Sequence, residues 1–222
     1  MKVTFLGHAS FKIEEDGKTV FVDPWLTGPT SPITVDDVDK ADIVLVTHDH
    51  GDHGYAEALG ICKNTGAYFV AINELAHKAG SQGVENIHTL NIGGSVNIGG
   101  VVVTLVQAFH SSGVGAPTGF VVRFPSGTFY HSGDTGVFAS MQLLGEMYKM
   151  DLAFLPIGGY FTQDIHQAEL AVKLLKPKAV IPMHYNTFPE IQANPEKFKG
   201  MVETSSPGVR VEILKPGESA EI

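Results

Sequence analysis

The chain has 222 residues, a formal net charge of −9, 43% hydrophobic and 18% charged residues, enough to bury a sizeable core in one large α/β domain or two small ones. That balance excludes a disordered chain, and the acidic excess argues against broad nucleic-acid binding. No apolar run approaches a membrane span and the first residues lack a leader's apolar core and cleavage pattern, so a cytoplasmic protein is expected.

Taken in order, residues 2–6 alternate as a strand does, and the alternation resumes at 10–13. Asp16-Gly17 then reads as a tight turn into a strand at 19–23. Residues 24–32 hold three prolines and Trp25, an irregular loop able to cover something. The β-branched run at 43–46 is a strand buried on both faces. A helix at 55–63 follows, with the single cysteine, Cys62, as a small core residue. One cysteine excludes an intrachain disulfide and a thiolate zinc site. Further strands are expected at 67–71, 87–90, 101–107, 119–124, 128–131, 152–155, 179–183 and 209–214, with a glycine-bracketed meander at 93–100. Helices are expected at 73–79, 137–148, 165–175, capped by Asp164, and 195–203. No composition break divides the chain. Residues 1–222 therefore read as one domain built from two similar β-then-α halves, sheets face to face and helices outside.

The stretch Thr47-His48-Asp49-His50-Gly51-Asp52-His53 follows the buried run directly. His48, His50, Asp52 and His53 supply the imidazole nitrogens and carboxylate oxygens that zinc and similar cations bind. His110, Asp134 and His184 each come just past another predicted strand. If those strand ends converge, His48, His50 and His110 hold one ion, Asp52, His53 and His184 a second, and Asp134 bridges them. Two divalent ions would ionise a bridging water near neutral pH, so hydrolysis by a metal-bridging hydroxide is the expected chemistry. Zinc is the expected metal, with manganese, nickel or iron as alternatives. Asp52, as ligand, and His8, in a Gly-rich turn, are the expected catalytic side chains. His131 is expected to orient a ligand or meet substrate, and His166, near a helix start, to meet a substrate phosphate. His77 and His88 read as surface residues.

These motifs, with the Gly133-Asp134-Thr135 turn, resemble the metallo-β-lactamase superfamily. The resemblance implies an α/β fold, the four-layer αβ/βα sandwich. More narrowly, Gly7-His8-Ala9-Ser10-Phe11, Asp23-Pro24-Trp25 and Pro182-Met183-His184-Tyr185 are similar to short metal-dependent hydrolases allied to ascorbate-6-phosphate lactonase. Asp134 stands where the main zinc β-lactamases have Cys. His50 stands where flavodiiron proteins have Glu, which favours hydrolysis over redox iron. The expected substrate is a small, anionic lactone or phosphoester. The alternatives are a nuclease or phosphodiesterase, and a non-enzymatic metal-binding or nucleotide-sensing module. A homo-oligomer is compatible with the sequence.

Overall fold

Alternation at the start becomes β1 (Lys2–Gly7), and Asp16 and Gly17, with φ of 50° and 75°, turn β2 (Ser10–Glu15) back along β3 (Lys18–Val22). The computed structural model describes residues 1–222. The β-branched run forms β4 (Ile43–Leu45), wholly buried and parallel to β3 and to β5 (Tyr68–Ile72), which pairs in parallel with β6 (Ile87–Leu90). Helices α1 (Tyr55–Thr65) and α2 (Asn73–Ser81) make the crossovers that parallel pairing requires.

The second sheet repeats the plan. Antiparallel β7 (Ser95–Ile98), β8 (Val101–Gln107), β9 (Thr118–Arg123) and β10 (Thr128–His131) lead into parallel β11 (Leu152–Pro156), β12 (Ala179–Met183) and β13 (Arg210–Val211). Its helices are α3 (Met141–Met147), α4 (Ile165–Leu175) and α5 (Pro195–Ser205). In the first sheet the place of β7 is taken by β14 (Ser219–Glu221), antiparallel to β1. Phe129, Phe154 and Ile181 enter the core shared with the first sheet, whereas Tyr130, Ala153 and Val180 pack with residues of α4 and α5. This period-2 division gives the α/β sandwich its layers.

Strand direction positions the site. In each sheet two antiparallel steps restore the original direction, so β1, β3 and β4 end on one edge, and β8, β10 and β12 do likewise. Residues following those six ends are His8, Asp23, His48, His110, Asp134 and His184.

Two expected elements need correction, and a third is made more definite. The helix expected at 137–148 starts only at Met141, because Val137 N–H is drawn to Gln167 Oε1 at 3.2 Å and Gly136 N–H to Phe109 C=O at 3.2 Å. The strand expected at 209–214 pairs only through Arg210–Val211, and the chain then crosses to the other sheet as β14. The meander at 93–100 contains a true strand, β7.

Gly54, directly after His53, holds φ +66°, and a Cβ there would lie 2.2 Å from the Pro24 carbonyl carbon and 2.4 Å from Trp25 N. The Pro- and Trp-bearing loop thus lies against the ligand-rich turn. Gly54→Ala should cost about 3 kcal/mol through overpacking and backbone strain, roughly 6–12 °C in Tm for a domain of this size. Thermal unfolding checks this, and an unchanged Tm contradicts the close approach.

Candidate metal centre

Seven histidine and aspartate side chains expected as ligands converge where the two sheet edges meet. Within the first set, His48 Nε2 lies 3.0 Å from His50 Nδ1, and His110 Nε2 lies 3.3 Å from the same atom. In the second set, His184 Nε2 is 3.9 Å from Asp52 Oδ2, and His53 joins the same cluster. Asp134 Oδ2 lies between the sets, 3.1 Å from His184 Nε2, 3.3 Å from His53 Nε2 and 3.5 Å from His110 Nε2. His8 joins the second set through Nε2, 3.2 Å from Asp52 Oδ2.

These separations fit a cation. A tetrahedron with metal–nitrogen bonds of about 2.0–2.1 Å has edges of roughly 3.3 Å. His8, His53 and His184 Nε2 are buried and meet carboxylate oxygens only as ion-pair neighbours without a formed hydrogen bond, and Asp134 Oδ1 has no partner at all. Such atoms are costly unless something pairs with them. The donor set, imidazole and carboxylate without thiolate, suits zinc, manganese, nickel or iron.

The electrostatics agree. Burial, reinforced by His53, His50 and His110, pushes His48 down to about 2, and burial likewise lowers His110. Both are therefore neutral at pH 7, the form that ligates. Burial works against ionisation at Asp134 as well, but His53 and His184 hold its carboxyl well below the usual range. For His53 burial is outweighed by Asp134 and Asp23, which raise its pKa well above the ordinary value. A cation would take the place of that proton. Solvent reaches the centre at His50, Asp52 and His110, which are partly exposed, while His48, His53, Asp134 and His184 are buried.

Several positioning residues were not singled out from the sequence. Asp23, fully buried, accepts from Thr47 N–H at 2.8 Å and Thr47 Oγ1–H at 2.7 Å, and its Oδ2 lies 2.7 Å from His53 Nδ1. Asp23 thus fixes which nitrogen of His53 faces the centre. With its proton on Asp23, the Thr47 hydroxyl can accept from His48 Nδ1 at 3.0 Å, which turns His48 Nε2 inward. Asp49, inside the motif, points away and accepts from Ser112 Oγ at 3.0 Å and Gly113 N–H at 2.7 Å, pinning the loop after His110. The sequence signals for Asp23 are its place at a strand end and the Asp23-Pro24-Trp25 motif, neither of which gives it a role.

Backbone strain collects here too. His8, Asp23 and His184 hold φ of 54°, 45° and 54°, uncommon for side-chain-bearing residues. His184 N–H donates to His8 C=O at 2.8 Å, joining the two halves. Gly133, at φ +59°, lets the turn before Asp134 press on Thr118, whose carbonyl oxygen would lie 2.4 Å from a Cβ.

Of the two roles expected for His131 the structure supports the bracing one, and at His166 the backbone donors expected to meet a phosphate are already taken. His131 is fully buried, with Nε2 3.0 Å from Ala9 C=O and Nδ1 accepting from Gly133 N–H at 3.2 Å. Both nitrogens serve backbone, so it braces the Asp134 turn and meets no substrate. His166 is exposed at the start of α4, where Asp164 already accepts from the backbone N–H of His166 and Gln167 at 3.0 and 2.8 Å, leaving no free anion cradle in those amides. His77 is exposed, and His88 is half-buried against Tyr68.

The model of the beta-lactamase superfamily domain matches residues 2–184. The chain belongs to this superfamily. It is 48% identical to a UPF0173 metal-dependent hydrolase of Caldivirga maquilingensis, over 96% of this chain and 95% of that protein. A second UPF0173 metal-dependent hydrolase, from Methanopyrus kandleri, is also 48% identical, over the full length of both. Among solved structures, a metallo hydrolase of the hyperthermophilic archaeon Ignicoccus hospitalis superposes with a TM-score of 0.92 at 43% identity, covering 100% of this chain and 98% of that one. Superfamily, sandwich and clustered ligands agree: the chain is a metal-dependent hydrolase of the metallo-β-lactamase fold. No helix is long and apolar enough to cross a membrane.

Proposed function

We propose that the enzyme is dinuclear, with His48, His50 and His110 around one divalent ion, Asp52, His53 and His184 around the other, and Asp134 shared. The observation carrying this reading is the position of Asp134 Oδ2, within 3.5 Å of nitrogens from both sets. Two such ions, when bound, supply an ionised water near neutral pH and polarise a carbonyl or phosphoryl oxygen. The reaction class is hydrolysis of a small lactone or carboxylic ester.

The chain's own residues set the geometry. Asp23 and Thr47 orient His53 and His48, and Asp49 holds the His110 loop in place. His8 contacts Asp52 through Nε2 and Thr187 Oγ1 through Nδ1 at 3.0 Å. Burial, against the pull of Asp52, lowers His8 to about 4, so it is neutral at pH 7. As a neutral imidazole beside Asp52, it serves to hold Asp52 in place or to contact the substrate. We favour an uncharged substrate over the anionic one expected earlier. The cleft next to Phe138 is lined without any Lys or Arg, which supports an uncharged group there.

Metal analysis tests the reading directly. The loaded protein should hold two equivalents of zinc, manganese, nickel or iron per chain, and chelation should abolish turnover of a lactone and ester panel. His50→Ala should leave one equivalent and remove turnover with the fold intact by circular dichroism. Equal activity in the metal-free protein, or a single equivalent in the unaltered chain, rejects it.

A further inference from the structure

We propose that an apolar groove beginning at Phe109 and running along α3 receives the alkyl or aryl part of an uncharged ester or lactone whose scissile group sits at the metal centre. This rests on the hydrolase reading above. Phe109 precedes His110, and its backbone is clamped to the segment after Asp134: its N–H donates to Thr135 Oγ1 at 3.0 Å, and its C=O accepts from Gly136 N–H at 3.2 Å. The ring, 63% exposed, therefore stands beside two ligand-bearing segments. Its other neighbour is Phe138, 5.3 Å between ring centres.

Phe138 forms the near end of a cleft of about 220 Å³, whose wall continues through Val106, Leu143, Leu144, Met147 and Ile92. Eight of the twelve residues around it are apolar, so it suits hydrocarbon. Its volume lies below the roughly 300–1,000 Å³ of sites that enclose a whole drug-sized ligand. It accordingly holds part of a molecule, a short chain or one ring. Ile92, Leu143 and Met147 line it and are 46%, 56% and 68% exposed, an apolar stretch open to solvent. Gln163 N–H donates to the C=O of Thr135, the residue that anchors Phe109, at 3.0 Å, and so holds the loop that carries exposed Tyr160 and Phe161.

Charge points the same way. No Lys or Arg lines the cleft, so it offers no cation of its own to a phosphate or carboxylate. Substrate selection then falls to contacts away from the reacting atoms, which is where binding energy can be gathered for use in the transition state. Continuity from His110 through Phe109 and Phe138 makes the groove the place for them.

The test is calorimetric titration of the zinc-loaded full chain with n-alkyl hydroxamates, from acetohydroxamate to octanohydroxamate. The hydroxamate head binds the metal centre and the tail reports the groove. Affinity should rise about fourfold for each methylene that becomes buried, and at least tenfold across the series. Leu143→Asp and Met147→Asp, both at exposed positions, should remove that gain, so that octanohydroxamate binds no better than acetohydroxamate. An affinity independent of chain length in the unaltered protein overturns the inference while leaving the hydrolase reading standing. Variants that keep the gain but change the mass measured by light scattering overturn it too, and assign the groove to a second copy of the chain. Failure of acetohydroxamate itself to bind the loaded protein rejects the metal-centre reading, and the groove assignment with it.

Discussion

Asp134→Ala should lower kcat/KM by about 10³-fold, since losing several kcal/mol of charge stabilisation at a cation pair corresponds to that factor. The side chain is 3% exposed and approaches His53, His110 and His184 from one oxygen. No other carboxylate bridges the two sets, because Asp52 clusters with His8, His53 and His184 and with none of the first set. Without the shared anion the two ions would repel each other across an uncompensated gap, so bound metal should fall below two equivalents as well. Steady-state kinetics with elemental analysis, on protein whose circular dichroism is unchanged, reads both effects. Full activity with two equivalents bound would remove Asp134 from the centre.

Asp23→Asn should weaken binding of the ion held by His53 by about 10- to 100-fold, the usual cost of losing an outer partner of a ligating histidine. The change keeps the shape of the side chain but replaces an acceptor by an amide donor. Asp23 receives hydrogen bonds on both oxygens, from Thr47 N–H on Oδ1 and from Thr47 Oγ1 and His53 Nδ1 on Oδ2. Either orientation of the amide therefore sets a donor against a donor, and His53 loses its fixed tautomer. Competition with a chromogenic chelator measures the loss, and an unaltered affinity would show that Thr47 alone orients the ring.

Much of this arrangement was readable along the chain because one rule repeats: an apolar strand ends and a ligand follows. The rule located His48, His110, Asp134 and His184, since alternation and β-branched runs mark strands whatever their distant neighbours. Where it misled, side-chain direction was the reason. His131 is still within β10, two residues from Phe129, and so points into the core against Phe11 and Phe154. Asp23 also ends a strand, yet its carboxylate turns inward to support ligands and not to be one. The shortened α3 and the crossing of β14 depended on Gln167, Phe109 and β1, partners far away in sequence that no local pattern announces. Loop anchoring by Asp49 was hidden for the same reason, behind a motif in which it looks like another ligand.

The left-handed backbone at His8, Asp23 and His184 sets chemistry against durability. Each conformation would be relaxed by glycine, at a saving of about 1–3 kcal/mol apiece, and His184 gives nothing back through hydrogen bonds of its ring. Stability taken alone would favour glycine at all three positions, so the two imidazoles and the carboxylate found there set conformational ease against the geometry of the centre.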